Sequence, residues 1–123
     1  MPDRIVMTKD EAEQYHWLIQ EIAACRQRIK GIEAEAEQWA DYPELLAALS
    51  ENRIVIEAHI AKCEAQCERF EAWLAVVPDP QMQSWLYARC VDGLPWVHIA
   101  AAACMKSDTI RTAVYRFFAK GAA

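Results

Sequence analysis

The chain has 123 residues, 54% of them apolar, a net charge of −5, and only three Gly and five Pro. That length supports one modest core, alone or with an extension. The scarcity of Gly and Pro points to long uninterrupted helices. No stretch is apolar over the roughly 18 residues that a membrane span requires. The start, MPDRIVMTKDEAE, lacks the cationic-then-apolar pattern of a secretory signal. Cys25, Cys63, Cys67, Cys90 and Cys104 are odd in number and have no disulfide-framework spacing, so they read as reduced thiols. A cytoplasmic protein with no membrane contact is expected.

Residues up to about Met7 show no periodicity and are expected to be frayed or extended. Thr8-Lys-Asp-Glu11 then carries a capping-box signal that opens a helix. From Tyr15 the apolar residues recur as Tyr15/Leu18, Ile22/Cys25, Ile29/Ile32 and Ala36/Trp39. This alternation of three and four is a coiled-coil seam, and Gly31 inside it costs about 1 kcal/mol relative to Ala without ending it. Pro43 disfavours helical geometry at Tyr42 and suits the first position of a new helix, so the chain turns there.

A second seam follows as Leu46/Leu49, Arg53/Ile56, Ile60/Cys63, Cys67/Phe70 and Leu74/Val77, closing at Pro78 and Pro80. The short connection makes the two helices antiparallel neighbours, each on the order of 45 to 50 Å long at about 1.5 Å per residue. Folding at Pro43 sets Trp39 towards Leu46, Ile29 towards Ile56, Ile22 towards Cys63 and Tyr15 towards Phe70. Arg53, at a seam position, can pair with Glu33, Glu35 or Glu57 or extend into solvent. Trp17, Ile19, Ile54, Val55 and Trp73 widen the stripes beyond a two-helix seam, so the hairpin is expected to pair with further copies of itself.

Asp79-Pro80 can cap and start a third helix with Met82, Leu86 and Cys90 inward, ended by Gly93 in a left-handed conformation. Pro95 opens a thin, Ala-rich helix to Ala103. Cys104 and Met105 make a turn, Lys106 or Ser107 caps, and a last helix runs from about Asp108 to Lys120. Its Ile110, Ala113 or Val114, and Phe117 face inward. Ser107, Asp108, Thr109, Arg111, Thr112, Tyr115 and Arg116 face outward. Residues 81–123 hold five cations and two anions, a net of +3, whereas residues 1–80 hold eight cations and sixteen anions, a net of −8. A basic end on an acidic body, carried by two helices with a short turn, is the pattern of a helix-turn-helix that reads double-stranded DNA.

In that arrangement the last helix enters the major groove. Ser107, Asp108, Arg111 and Thr112 are its candidate base-edge contacts, because Arg can be bidentate to guanine, Asp can accept from cytosine and Thr can bond or touch a thymine methyl, and Thr109 and Tyr115 on the same outward face are also candidate DNA-binding residues. Lys106, Arg116 and Lys120, with Arg89 as a further candidate, would meet phosphates.

These residues resemble the region-four-like helix-turn-helix of sigma factors, and more closely phage-encoded regulators of the RinA/ArpU type, in which a helical hairpin precedes that module. Asp79-Pro80 matches the entry and Arg89-Cys90-Val91-Asp92-Gly93 the segment usually written Arg-Tyr-x-x-Gly. Trp96 and Ile99-Ala100 match the supporting helix, and Thr109-Ile110-Arg111 the start of the recognition helix. Cys90 stands where the pattern has an aromatic, Cys104 where it has a turn Gly and Lys106 where it has a capping Ser, while Val97 and His98 stand at positions usually more acidic. The resemblance implies a DNA-binding transcriptional regulator of phage genes.

His59, Cys63 and Cys67 are spaced by four on one helix, with Cys25 across the hairpin. Zinc sites usually place two residues and a turn between thiols, so Cys63 and Cys67 read as small core residues at seam positions and no metal or cofactor is expected. His98 reads as exposed. The chain lacks a Gly-rich phosphate loop and any Ser/His/Asp or Cys/His arrangement tied to a recognisable turn, so an enzyme is not expected. The expectation is therefore an all-α protein: a long antiparallel helical hairpin (coiled coil) over residues 1–78 that oligomerises, then a helix-turn-helix module over 79–123. Two other readings are kept. One is a phage packaging or scaffold component resembling a small terminase subunit; the other is a protein-interaction module with a degenerate helix-turn-helix that binds RNA polymerase.

Overall fold

The structure, a computed structural model, describes residues 5–120. The described residues form five α-helices: α1 (Lys9–Gln38), α2 (Pro43–Ala75), α3 (Pro80–Leu86), α4 (Trp96–Ala103) and α5 (Ser107–Ala119). A π-helical turn, Tyr87–Val91, follows α3 directly. The fold is all-α, with α1 and α2 a long packed antiparallel pair. The loose start expected up to Met7 is corrected in part: residues 5–8 precede α1, but Met7 is buried. Residues 1–4 of that stretch lie outside the described residues.

The helix boundaries follow the local signals. Thr8 Oγ1 accepts from the Glu11 N–H at 3.1 Å, which satisfies one orphan donor of the first turn. The return half of the capping box is replaced, since the Glu11 carboxylate lies 3.5 Å from Arg69 Nη1. Gly31 leaves α1 uninterrupted. Pro43 is the first residue of α2, and Trp39 and Tyr42 meet edge to face at 5.5 Å across the turn. Asp79 Oδ1 accepts from the Gln81 N–H at 2.9 Å and Pro80 starts α3.

Chain contacts divide the molecule into two compact units, one of the residues to Trp17 together with those from Cys67 onward, the other Leu18–Gln66. The boundary near Pro78 drawn from the sequence falls inside the first of these. Both long helices pass from one unit into the other.

In the Leu18–Gln66 unit, Leu18, Ile22, Cys25, Ile60 and Cys63 are buried, whereas Ile29, Ile32, Leu46, Leu49 and Ile56 are half-buried and Trp39 is exposed. Polar pairs flank the seam: Arg26–Glu64 at 2.9 Å, and Arg53 with both Glu33 (3.3 Å) and Glu57 (2.7 Å). Arg53 therefore stays at the seam edge and ties α1 to α2 through its guanidinium.

The other unit has a different core. Tyr15 packs on Phe70 with centroids 4.7 Å apart, and Phe70 on Trp73 at 5.8 Å. Trp73 then meets Phe117 at 6.1 Å and stacks on Phe118 at 5.6 Å, which fastens the end of α5 to α2. Trp73, one of the residues expected to widen the apolar stripe and to need cover from another copy, is 2% exposed and is covered within the chain as part of this core. Met82, Leu86, Cys90, Ile99, Ile110 and Val114 complete it as α3, α4 and α5 pack together.

The backbone between α3 and α4 departs from a plain helix end. The Asp92 N–H reaches the Tyr87 carbonyl at 3.1 Å, a π-type bond, and Gly93 takes φ +69° as the turn requires. His16 fills the space over Gly93, with its Nδ1 3.0 Å from the Val91 carbonyl oxygen.

Candidate nucleic-acid interface

Two helices and a three-residue turn build the candidate site. α4 ends at Cys104, whose φ of +56° is the left-handed cap conformation that Gly adopts most cheaply. The Met105 N–H bonds the Ala100 carbonyl at 3.0 Å and the Cys104 N–H the Ala101 carbonyl at 3.3 Å, the paired bonds of a Schellman motif. A thiol side chain thus occupies a turn position usually given to Gly, and the turn keeps its geometry. Lys106 is the α5 N-cap residue and makes no side-chain cap bond.

α5 divides cleanly into two faces. Ile110 and Val114 are fully buried, and Phe117 and Phe118 partly so. On the other face Lys106, Asp108, Thr109, Arg111, Thr112, Tyr115, Arg116 and Lys120 are exposed and Ser107 is half-buried. Apart from Arg89, every DNA-contact candidate singled out from the sequence therefore lies on, or at the rim of, the solvent face of one helix. Two are held by neighbours. Arg111 Nη2 bonds Asp108 Oδ1 at 2.7 Å across one turn, and Tyr115 sits edge-on to Trp96 at 6.3 Å with Lys9 Nζ 4.3 Å over its ring.

Lys9 escaped the sequence reading, because only packing brings the first residue of α1 beside α5. It adds a cation to the face that already carries Arg111 and Arg116.

Arg89 is engaged by neighbours within the fold. Its guanidinium lies over the Trp96 ring at 4.8 Å, donates to the Leu94 carbonyl at 3.2 Å and lies 3.5 Å from Glu13 Oε1. It organises the loop before α4, and its guanidinium is engaged within the fold. Cys90, at the position where the sequence pattern has an aromatic, is buried beside it, and burial pushes its thiol up to about 12.

The same unit contains an open groove of about 510 Å³, lined by Tyr15, Phe70, Glu71, Gln83, Tyr87 and Val91 among others. Its carboxylate is engaged: the Tyr15 hydroxyl donates to Glu71 Oε2 at 2.8 Å, and burial with that neighbour raises the phenol well above its ordinary range. His98 on α4 is exposed.

Comparison of the chain with protein-family models, with curated proteins and with solved structures finds no match.

Proposed function

We propose that the chain is a double-stranded-DNA-binding transcriptional regulator of the phage-encoded RinA/ArpU kind, with α5 as the recognition helix. The observation that carries this reading is the two-faced α5. Its apolar side is locked by Ile110 and Val114, and its free side presents Arg111, Thr112 and Arg116 with no cover among the described residues. The Schellman turn before it supports the same reading, since it stops α4 and lets α5 begin after three residues, the short connection a helix-turn-helix uses. The Asp108–Arg111 pair is exposed on both sides, so it exchanges readily for a base edge.

Oligomerisation through the hairpin belongs to the proposal. Ile19, Ile54 and Val55 are exposed apolar residues of the Leu18–Gln66 unit, and a second copy would give them cover. Two recognition helices on one site also multiply a weak single contact by effective concentration. Mobility-shift titrations of the full chain against duplex DNA, across a salt series, test the reading. Binding is expected to weaken steeply with salt, and Arg116→Ala to reduce the salt slope by about one charge. Absence of any shift at low salt, with Arg111→Ala and Arg116→Ala indistinguishable from the parent chain, overturns it.

A further inference from the structure

The Leu18–Gln66 unit brings together a set of side chains whose chemistry differs from the seam around it. Glu21 and Cys25 are one helical turn apart on α1, and His59 and Cys63 one turn apart on α2, so each pair stands on a single helix face. The ligand atoms of Glu21, Cys25 and His59 all lie within 4.8 Å of one another. His59 Nε2 is 3.3 Å from Glu21 Oε1, Cys25 Sγ is 3.7 Å from the same oxygen, and Cys63 Sγ is 3.7 Å from His59 Nε2.

Those separations have a meaning for coordination chemistry. A tetrahedral zinc ion with bonds of about 2.0–2.1 Å to nitrogen and oxygen and about 2.3 Å to sulfur has ligand-to-ligand edges of about 3.3 Å for N–O and about 3.6 Å for S–N or S–O. Three of the six edges, Glu21–His59, Glu21–Cys25 and His59–Cys63, already stand at about those lengths, and a turn of the Cys63 side chain towards Cys25 would close the set. Both thiols are buried, while the side chains of His59 and Glu21 are 44% and 25% exposed, so the set is closed on the core side and open to an entering ion on the other. Two sulfurs and an imidazole select a zinc-type ion over calcium or magnesium, which take oxygen ligands.

We propose that Glu21, Cys25, His59 and Cys63 form a four-ligand site for a zinc-type divalent cation that staples α1 to α2. Binding releases the two thiol protons to solvent, and two thiolates plus one carboxylate against the dication leave the site at a net of −1. Arg28 supplies the balance. Its Nη2 lies 3.0 Å from Cys25 Sγ and 3.5 Å from Glu21 Oε1, and its side chain is 58% exposed, so it swings outward as the ion enters and stays beside the site as a countercharge. A search for thiols two residues apart in a loop passes over this site, because helical ligands repeat at four. This inference is independent of the DNA-binding reading.

The test is a cobalt(II) titration of the reduced full chain, with zinc displacement. One metal per chain is expected, with a thiolate-to-metal charge-transfer band and the intense visible bands of tetrahedral coordination, both lost when zinc is added. Cys25→Ser and Cys63→Ser should abolish the bands, and His59→Gln and Glu21→Gln should weaken binding at least ~10-fold, the lower bound for changes even outside the ligand sphere. Cys67→Ser and Cys104→Ser should leave the spectrum unchanged. His59 is exposed, so His59→Gln keeps the fold, and zinc should raise the melting temperature of the parent chain by more than that of the variant at the same zinc concentration. An octahedral spectrum only, bands that survive in Cys25→Ser or Cys63→Ser, or bands lost in Cys67→Ser or Cys104→Ser, overturns the proposal.

Discussion

The two compact units contain parts of the same two long helices, yet they hold together by different means. From Cys67 onward α2 meets residues of α1, α3 and α5, and α3, α4 and α5 pack on one another, so Phe70, Trp73, Leu86, Ile110 and Val114 are covered from several directions. Between Leu18 and Gln66 there are only two helices, and two cylinders can cover only the line along which they touch. The seam there fades from buried Ile22 and Cys25 to half-buried Ile29 and Ile32 and exposed Trp39, with ion pairs along its edges. Periodicity of equal quality therefore yields unequal burial, and what decides is the number of elements within reach.

The largest test of this difference is a pair of truncations. Trp73→Ala should cost about 3–5 kcal/mol, since it opens a cavity among Phe70, Phe117 and Phe118. Ile56→Ala, at a half-buried seam position, should cost about 1 kcal/mol, because most of its neighbours there are water. Urea unfolding of both variants measures the contrast. Equal losses would break it, and would mean that the Leu18–Gln66 surface is covered in solution by another copy of the chain.

The sequence was informative wherever the signal was local. Both seams, the breaks at Pro43 and Pro80, the Thr8 and Asp79 caps, the left-handed Gly93 and the division of α5 into faces all depend on residues within a turn or two of each other. The misses share a cause too. Trp73 reads as part of a stripe left for another copy to cover because its actual cover comes from Phe117 and Phe118, more than forty positions on. Arg89 reads as a free cation because Glu13 and Trp96 reach it only in the fold. A hydrophobic period names the face of a helix that is buried, but not the partner that buries it.

Two glycines sharpen the comparison at a smaller scale. Gly31, in the middle of α1, has nothing within 4 Å of the place a Cβ would occupy, so Gly31→Ala should stabilise by about 0.5–1 kcal/mol through helix propensity. At Gly93 the φ is +69° and a Cβ would lie 2.8 Å from His16 Nε2. Gly93→Ala should therefore destabilise by about 2 kcal/mol, from left-handed strain plus the clash. Thermal or urea melts give both signs directly. Adding His16→Ala to Gly93→Ala should recover the clash but not the strain, so the two changes should be non-additive. Additive losses would show that His16 yields at no cost and that this loop is less tightly packed than its neighbours imply.

A pH dependence belongs to the multi-helix core. Cys90 lies in the crowded core, and burial, reinforced by the Glu13 carboxylate, raises its thiol from the ordinary 9.0 to about 12. Below pH 9 the thiol is protonated whether the chain is folded or not, and its contribution to stability is fully present. Between about 9 and 12 the unfolded chain loses this proton while the folded chain keeps it, so stability falls as pH rises and the loss is complete above about 12. From pH 8 to pH 10 the group should account for about 1.4 kcal/mol of that fall. Other groups titrate in the same window, so the measurement is a difference: unfolding midpoints for the parent chain and for Cys90→Ala at both pH values. A shallower slope in Cys90→Ala places the alkaline sensitivity in the multi-helix core. Equal slopes would mean that water reaches the Cys90 sulfur, and that the protection conferred by α3, α4 and α5 is weaker than their packing implies.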